Sequence, residues 1–488
     1  MLTACWGHAD ESALEQPNVQ PEPPITEPEV NDTQILDMPC EGNVFITDDD
    51  AEVLKDELEY LAYIEEGADI SYRQVSIEEL EGCTEIIGNL VIVGKDGLDD
   101  LSKLGALRRV QGTFALYGNR NLRSLNGLQE LSEVQHHFRL GYCSGSSTLL
   151  PCLGNPELET LSGLEGLKTI GKGLTIADNP KLTNLHPLAN LSEIDTSIVT
   201  LRQNTMLENL DGLNGLETIS LTLRDNASLD NINALRGITE SPRGLWIEGN
   251  HNLRELNGLE DLTTSNNRVW IIDNQSLLNL EALESLETIN YGSLRIVANH
   301  SIENLDGLSS LKSVDGDVIV SNNPNLTSTD GISNLREVKG NLQITHNERL
   351  ETFEGAQNLS ELEGDLTIWG NTMLTRVAGF DSLERLNGSL RLGMHEFGQT
   401  YSNPSLQTIS AFPSLIDIGE NLHIIGHQVL PTLDFLPSLN QIRGDAWIFN
   451  NVSLSSCSIN DLMDRIGETS IGGEVLIEDN HNTTPCEQ

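Results

Sequence analysis

The sequence is poor in positive charge. Its 488 residues include 28 lysines and arginines against 74 aspartates and glutamates, which gives a formal net charge of -46. A field of that sign repels the phosphates of nucleic acids and anionic membrane surfaces. We therefore predict that nucleic acid is not a partner, and that any membrane contact runs through an attached lipid.

Long apolar runs and the usual signatures of catalysis are also missing. No stretch of about 20 apolar residues is present, so the sequence predicts no transmembrane helix. G-x-S-x-G, H-E-x-x-H, Walker A and G-x-G-x-x-G motifs do not occur. No two cysteines have CxxC spacing and the histidines are scattered, which argues against a metal site. We predict no enzyme activity, no metal and no cofactor.

What the sequence does contain is a repeat of about 24 residues. Residues 155–179, NPELETLSGLEGLKTIGKGLTIADN, form one clean unit of the pattern N-x-x-L-x-x-L-x-G-L-x-x-L-x-x-I-x-G-x-L-x-I-x-x-N. The alternating L-x-I segment predicts a strand whose Leu and Ile point inward. One unit cannot bury that face alone, so the units are expected to stack as a solenoid. Aromatic residues are only 4% of the chain, which suits many small layers of Leu and Ile.

One asparagine marks each repeat at a corner of the chain. Its amide can bond exposed backbone and it tolerates left-handed dihedral angles, so we expect these side chains to hydrogen-bond from coil to coil as a ladder. The predicted ladder consists of Asn155, Asn179, Asn204, Asn226, Asn250, Asn274, Asn299, Asn323, Asn347 and Asn371.

The repeat unit resembles the receptor L domain, the ligand-binding module of the insulin and epidermal growth factor receptors, which has relatives among bacterial surface proteins. The start CEGNVFI, followed by Cys83 and GNLVIVG, is similar to the entry of that module. The resemblance covers about residues 40 to 486. It implies a mostly β fold, a right-handed parallel β-helix-like solenoid with short helical caps. A leucine-rich repeat proper is the structural alternative, and the lack of a helical stretch in each repeat favours the L-domain form.

The chain divides into five predicted segments. Residues 1–5 are a lipobox remnant, residues 6–39 a disordered Pro/Glu-rich tether, and residues 40–94 an N-terminal cap with a helix over 50–66. Residues 95–456 hold the solenoid repeats, and residues 457–488 form a C-terminal cap with a short helix. A solenoid needs such caps because its end coils would otherwise expose the core. The hormone specificity of the receptors does not transfer, since their cysteine-rich module, membrane span and kinase do not occur in this sequence.

The seven cysteines predict three disulfides and one special thiol. Neighbouring cysteines suggest the pairs Cys40–Cys83, Cys143–Cys152 and Cys457–Cys486, which point to an oxidising, extracytoplasmic compartment. Cys5 is left over. Leu2-Thr3-Ala4-Cys5 fits a bacterial lipobox, although no apolar h-region precedes it. We predict that Cys5 is lipidated and holds the protein at a bacterial cell surface or outer membrane.

The outward residues of the L-x-I-x-x-N strands provide the candidate ligand-binding site. Counting back from the marker asparagines places Trp246 and Trp270 side by side, with cations close to them. Trp and Arg are common interface anchors, and flat indoles also stack on sugars. The alternative is that aromatic residues simply favour an exposed sheet and pair across strands. The predicted site comprises Arg202, Arg224, Trp246, Trp270, Arg295, Trp369 and Trp447.

The leading interpretation is a monomeric, non-enzymatic surface binding or adhesion lipoprotein with a protein or glycan ligand. A passive envelope or cell-wall spacer is the second interpretation. A carbohydrate-active β-helix enzyme is the third, and it would need clustered carboxylates in a groove.

Overall fold

The fold is mostly β, and its parallel strands stack as a solenoid. The computed structural model describes residues 39–47, 72–142 and 153–481. Within these residues, one sheet runs the length of the stack with one strand per coil, and we call it the long sheet. Each strand pairs in parallel with those of neighbouring coils. In stacking order its strands are Tyr72–Gln74, Asn43–Ile46, Leu90–Val93, Phe114–Tyr117, His137–Leu140, Gly173–Ala177, Ile198–Arg202, Ser220–Arg224, Leu245–Glu248, Val269–Ile272, Leu294–Val297, Val318–Ser321, Leu342–Thr345, Leu366–Trp369, Leu390–Leu392, Leu422–Ile425, Ala446–Phe449 and Val475–Glu478.

Shorter strands form the other walls of the stack. One wall has two parallel sheets, Pro39–Glu41, Glu85–Ile87, Arg109–Val110, Glu133–Val134, Thr169–Ile170 and Glu193–Ile194, followed by Glu240–Ser241, Thr264–Ser265, Thr288–Ile289, Ser313–Val314, Glu337–Val338, Glu361–Leu362, Arg385–Leu386, Asp417–Ile418 and Gln441–Ile442. A third wall has Thr352–Phe353, Arg376–Gly379 and Thr408–Ala411. An antiparallel hairpin, Met394–Glu396 with Gln399–Tyr401, interrupts the repeat.

The described helical segments are short. The one α-helix among the described residues spans Ser456–Ile466 and buries Ile459, Leu462 and Ile466, as predicted for a C-terminal cap. The predicted helix at 50–66 lies outside the described residues. 3-10 turns occupy Ile77–Leu80, Ser102–Leu104, His186–Leu188, Asn233–Leu235, Glu281–Leu283, Asp306–Leu308, Asp330–Ile332 and Glu468–Ser470.

These 3-10 turns correct the expectation that the repeats lack any helical stretch. A typical one closes through a hydrogen bond from the Leu283 N–H to the Leu280 carbonyl, 2.8 Å long. One such bond lets the chain turn a corner within three residues while both leucines stay in the core. Because a corner of this kind suits a leucine-rich repeat as well, the receptor L-domain assignment remains a prediction.

The core is a continuous column of Leu, Ile and Val. In the Leu245–Glu248 strand, Leu245 and Ile247 are buried while Trp246 and Glu248 are partly exposed, which is the alternation that the sequence predicts. Burying each such aliphatic side chain stabilises the fold by about 1.5–3 kcal/mol. Burial of alternate residues therefore fixes the orientation of each strand in the long sheet. The residues between the buried ones must point to the outer face.

The marker asparagines form a buried column beside the long sheet. The Oδ1 of Asn274 accepts a hydrogen bond from the backbone N–H of Asn250 at 3.1 Å, and the Asn274 N–H donates to Asn299 Oδ1 at 3.0 Å. The Asn274 Nδ2 also donates to the carbonyls of Ile247 and Ile272 at 2.9 and 3.1 Å. The same scheme repeats along the column, so each coil is hydrogen-bonded to the next through buried side chains.

The left-handed residue at this corner is the one before the marker, so the corner does not use the tolerance of asparagine for left-handed dihedral angles. Asp273 and Ala298, for example, have φ angles of 51° and 57°. The asparagine is instead fully buried. Its side-chain amide hydrogen-bonds backbone groups that have no backbone partner at the corner. Glycine is needed at a different corner: a Cβ on Gly364 would lie 2.6 Å from the Gly340 carbonyl carbon.

Two of the predicted disulfide cysteines are joined in the described residues. Cys40 and Cys83 form a disulfide with a Cα–Cα distance of 5.9 Å. Cys457 is also disulfide-bonded. Its predicted partner Cys486 lies outside the described residues, as do Cys5 and the predicted pair Cys143–Cys152.

Candidate functional site

The outer face of the long sheet carries the candidate site. In-register pairing places Thr222, Trp246, Trp270 and Arg295 in one row across four neighbouring strands. The counting of repeats from the sequence therefore finds the correct neighbours. The next outward row contains Arg202, Arg224 and Glu248 on three consecutive strands. Rigid inward packing of every strand holds both rows in position.

Guanidinium groups contact both indoles of this face. The ring centroids of Trp246 and Trp270 are 5.1 Å apart and nearly perpendicular, at 74°. The Cζ of Arg224 lies 4.4 Å from the Trp246 centroid, and that of Arg295 lies 4.7 Å from the Trp270 centroid. The Cζ of Arg268 lies beside both indoles, 5.6 Å from the Trp246 centroid and 4.7 Å from the Trp270 centroid. We call Arg224, Trp246, Arg268, Trp270 and Arg295 the guanidinium–indole ladder.

The two ends of the ladder differ in burial and in pairing. Arg224 is only 3% exposed and forms an ion pair with Glu248 at 3.0 Å. The Trp246 Nε1–H donates to the same carboxylate. Arg268 and Arg295 are partly exposed, and among the described residues neither has a carboxylate within ion-pair distance. The end of the ladder at Arg268 and Arg295 thus offers positive charge to solvent on a strongly acidic chain.

The stacking determines what the ladder can bind. Guanidiniums already lie over both indoles, so the flat faces that sugars would use are largely occupied. A stacked guanidinium keeps its N–H edge free, and that edge matches the two oxygens of a carboxylate or sulfate. Within the described residues, Trp270 Nε1 and Arg295 Nε are buried without a hydrogen-bond partner, so Arg295 can offer a ligand only its terminal N–H groups.

The remaining predicted site residues do not join the ladder. Arg202 is 7% exposed and pairs in register with Arg224. Burial, together with the charge of Arg224, lowers the pKa of Arg202. Trp369 packs edge-on against His346 at 4.5 Å. Trp447 stacks on His423 at 4.7 Å. The seven residues predicted as one site therefore occupy three separate places along the sheet.

Sequence reasoning missed Arg268 and two residues close to it. Arg268 precedes the strand Val269–Ile272, so it belongs to neither outward row, and the repeat pattern does not show which way a corner side chain reaches. Tyr291, at the turn before the next strand, is 83% exposed with a φ of 58°. Arg243 and Arg268 border a depression of about 220 Å³ beside Trp246. The one available signal was the Arg-Val-Trp sequence itself.

Neither a metal site nor a membrane-spanning helix occurs in residues 39–47, 72–142 and 153–481. No group of three His, Cys, Asp or Glu side chains in them is placed to hold a metal ion. No helix in these ranges has the length and apolarity needed to cross a membrane.

Comparisons with known proteins add little to this geometry. No protein-family model matches the chain, and no curated protein matches it. Among solved structures, an internalin from Listeria monocytogenes is similar with 14% identity, covering 88% of this chain and 90% of its own, at a TM-score of 0.25. The TLR13–ssRNA13 complex is similar with 13% identity, covering 83% of this chain and 86% of that one, at a TM-score of 0.14. Likenesses at these TM-scores carry no argument about function.

The outer-face histidine His423 gives a pH prediction. Burial, with the nearby charge of Arg391, lowers its pKa to about 4. Its folded-state pKa lies below the unfolded value of about 6.5, so protonation favours unfolding. The stability that neutral His423 contributes is complete above pH 6.5 and is lost as the pH falls towards 4.

We expect the His423→Gln variant to be less stable than the wild type at pH 7, because it loses the stacking on Trp447. The difference in the free energy of unfolding between the two proteins should shrink from pH 7 to pH 5. At pH 5 the unfolding of the wild type is coupled to protonation of His423, and the variant has no such group. Urea unfolding of both proteins at the two pH values measures this. Comparing the two proteins cancels the titration of the many carboxylates, which both share. A stability difference that stays constant between the two pH values would contradict the lowered pKa of His423.

Proposed function

We propose that this chain is a non-enzymatic binding protein whose guanidinium–indole ladder contacts a ligand outside the cytoplasm. The observation that carries the proposal is the pair Arg268 and Arg295, which have no ion-pair partner among the described residues of a chain with 74 acidic residues and 28 basic ones. Arg254 is also unpaired among the described residues, so what distinguishes Arg268 and Arg295 is that each is in addition stacked on an indole. A cation that is stacked and unpaired is available for a ligand.

The ladder is also suited to binding because its geometry is fixed before the ligand arrives. Arg268 contacts two indoles, and the residues on either side of each indole in its strand are buried in the core. Immobilising a free arginine on binding costs about 0.5–1.5 kcal/mol, and stacking meets much of that cost in advance. Trp and Arg are the residues on which binding energy usually concentrates.

The cellular setting is part of the same proposal. The Cys40–Cys83 disulfide supports an oxidising compartment. A lipid on Cys5 would anchor the protein to a membrane that its acidic surface would otherwise avoid. Together these features support an adhesion or recognition role at a bacterial cell surface.

A passive envelope spacer is the second candidate, and one observation favours it. Each indole of the ladder is already in contact with two guanidiniums, so the ladder can stabilise the sheet without any ligand. Cation–π contacts at exposed sites contribute about 0.5–1 kcal/mol each. The two candidates differ in whether disrupting the ladder removes binding or only lowers stability.

The Trp246→Ala/Trp270→Ala double variant tests the proposal on protein and glycan arrays. We expect at least about a tenfold loss of binding for every ligand that the wild type retains, because Arg268 loses both indoles that position it. Trp447→Ala is the matched control, since it removes an outer-face indole that stacks on His423 away from the ladder. Binding that is unchanged in the double variant, with the fold intact by circular dichroism, would leave the spacer as the better account.

The anchor is tested by mass spectrometry of Cys5 in the membrane fraction of the native organism. We expect the cysteine to carry a lipid, and Cys5→Ser to move the protein into the soluble fraction, because its acidic surface gives no other membrane affinity. An unmodified Cys5 in membrane-associated protein would contradict lipidation without affecting the ladder.

A further inference from the structure

The ladder forms one border of a depression whose lining indicates the chemical class of the ligand. The depression has a volume of about 220 Å³ and is lined by Trp246, Arg243, Arg268, Ser220 and Thr222, among others. Sites for whole small molecules are commonly about 300–1,000 Å³, so this space suits one unit of a longer chain. The guanidiniums of Arg243 and Arg268 can bind a negatively charged group, and the hydroxyl of Thr222 beside them can bind a ligand hydroxyl.

We infer that the ladder and this depression bind an acidic polysaccharide, a polymer whose sugars carry carboxylate or sulfate groups. The inference rests on the proposed function, because it names the ligand class of the same site. Arg268 lines the depression and also contacts both indoles, so one guanidinium belongs to both features. A sugar acid in the depression would present its anion to Arg268 and Arg243, and a hydroxyl to the partly exposed Thr222.

The shape of the cationic strip favours a linear polymer over a folded acidic protein. Trp246, Trp270 and Arg295 form a single row across three neighbouring strands, and Arg268 lies at the corner beside that row, so the accessible cations follow one line across the strands. Its surroundings belong to a chain of net charge -46, and the broad surface of an acidic protein would meet that field over its whole contact area. A single extended polymer chain places its charges on the strip alone.

Local acidity does not cancel the site. The carboxylate of Glu248 is held by Arg224 at 3.0 Å and also accepts from the Trp246 Nε1–H. Its charge is therefore already paired with Arg224. At 0.15 M salt the Debye length is about 8 Å, so the more distant acidic residues of the chain are largely screened.

The experiment measures binding of the full chain to polygalacturonate, dextran sulfate, neutral dextran and poly-glutamate at 0.15 M salt. We expect binding to at least one of the two acidic polysaccharides and none to neutral dextran. Arg268→Gln and Arg295→Gln should each lower the affinity about tenfold, which corresponds to the loss of one charge-assisted hydrogen bond. Comparing the carboxylated with the sulfated polymer identifies which anion the site prefers.

Two control variants separate charge from structure. Arg254→Gln removes an exposed arginine that has no ion pair among the described residues and lies outside the ladder, so its affinity should match the wild type. Arg268→Lys keeps the charge without the planar fork and should retain part of the affinity. Melting temperatures of all variants show whether a loss comes from unfolding.

The outcomes distinguish this inference from the proposed function. Equal binding of an acidic polysaccharide by wild type and the Arg268→Gln/Arg295→Gln double variant would overturn it, as would poly-glutamate binding as tightly as the polysaccharides. If the wild type binds no acidic polysaccharide but binds another ligand that the Trp246→Ala/Trp270→Ala variant loses, the ligand class is wrong and the proposed function stands. If no ligand of any kind depends on the ladder, both fail.

Discussion

A buried asparagine, repeated once per coil, is the interaction on which the rest of the structure depends. Its amide satisfies backbone groups of its own coil and of the neighbouring coils, so it fixes their register. For Asn274 the acceptors are the carbonyls of Ile247 and Ile272 and the amide oxygen of Asn299. A shift of one residue in any coil would turn its apolar face outward and break this column. Register on the inside therefore determines which side chains stand together on the outside.

The guanidinium–indole ladder is the functional consequence of that register. Trp246, Trp270 and Arg295 become neighbours because the register of their coils is fixed, and Arg268 contacts both indoles from the corner that precedes the Trp270 strand. On a chain with so few cations, positive charge is concentrated where stacking holds it, and the opposite end of the ladder is neutralised by Glu248. The proposed binding role follows from this asymmetry between a paired, buried end and an unpaired, accessible one.

The sequence predicts the periodic part of the structure well. Inward Leu and Ile, the parallel stack and the neighbouring positions of Trp246 and Trp270 all follow from a repeat whose period can be counted. The backbone conformation of the corners does not follow from the apolar pattern, and these features were missed: the 3-10 turn at Glu281–Leu283, the left-handed residue before markers such as Asn274 and Asn299, and the direction of Arg268. The burial of Arg202 and Arg224 was also unexpected, since exposure on the outer face depends on contacts that no repeat encodes.

The most direct test of the account is the stability of an Asn274→Ala variant against a matched Asn257→Ala control. Asn257 is exposed and bonds only Glu255 among the described residues, whereas Asn274 is fully buried between two coils. Urea unfolding should show a loss of about 2–4 kcal/mol for Asn274→Ala, because the Asn250 N–H and two carbonyls lose buried partners. The control should lie within about 0.5 kcal/mol of the wild type. Equal stability of the two variants would contradict the claim that the asparagine column holds the coils in register.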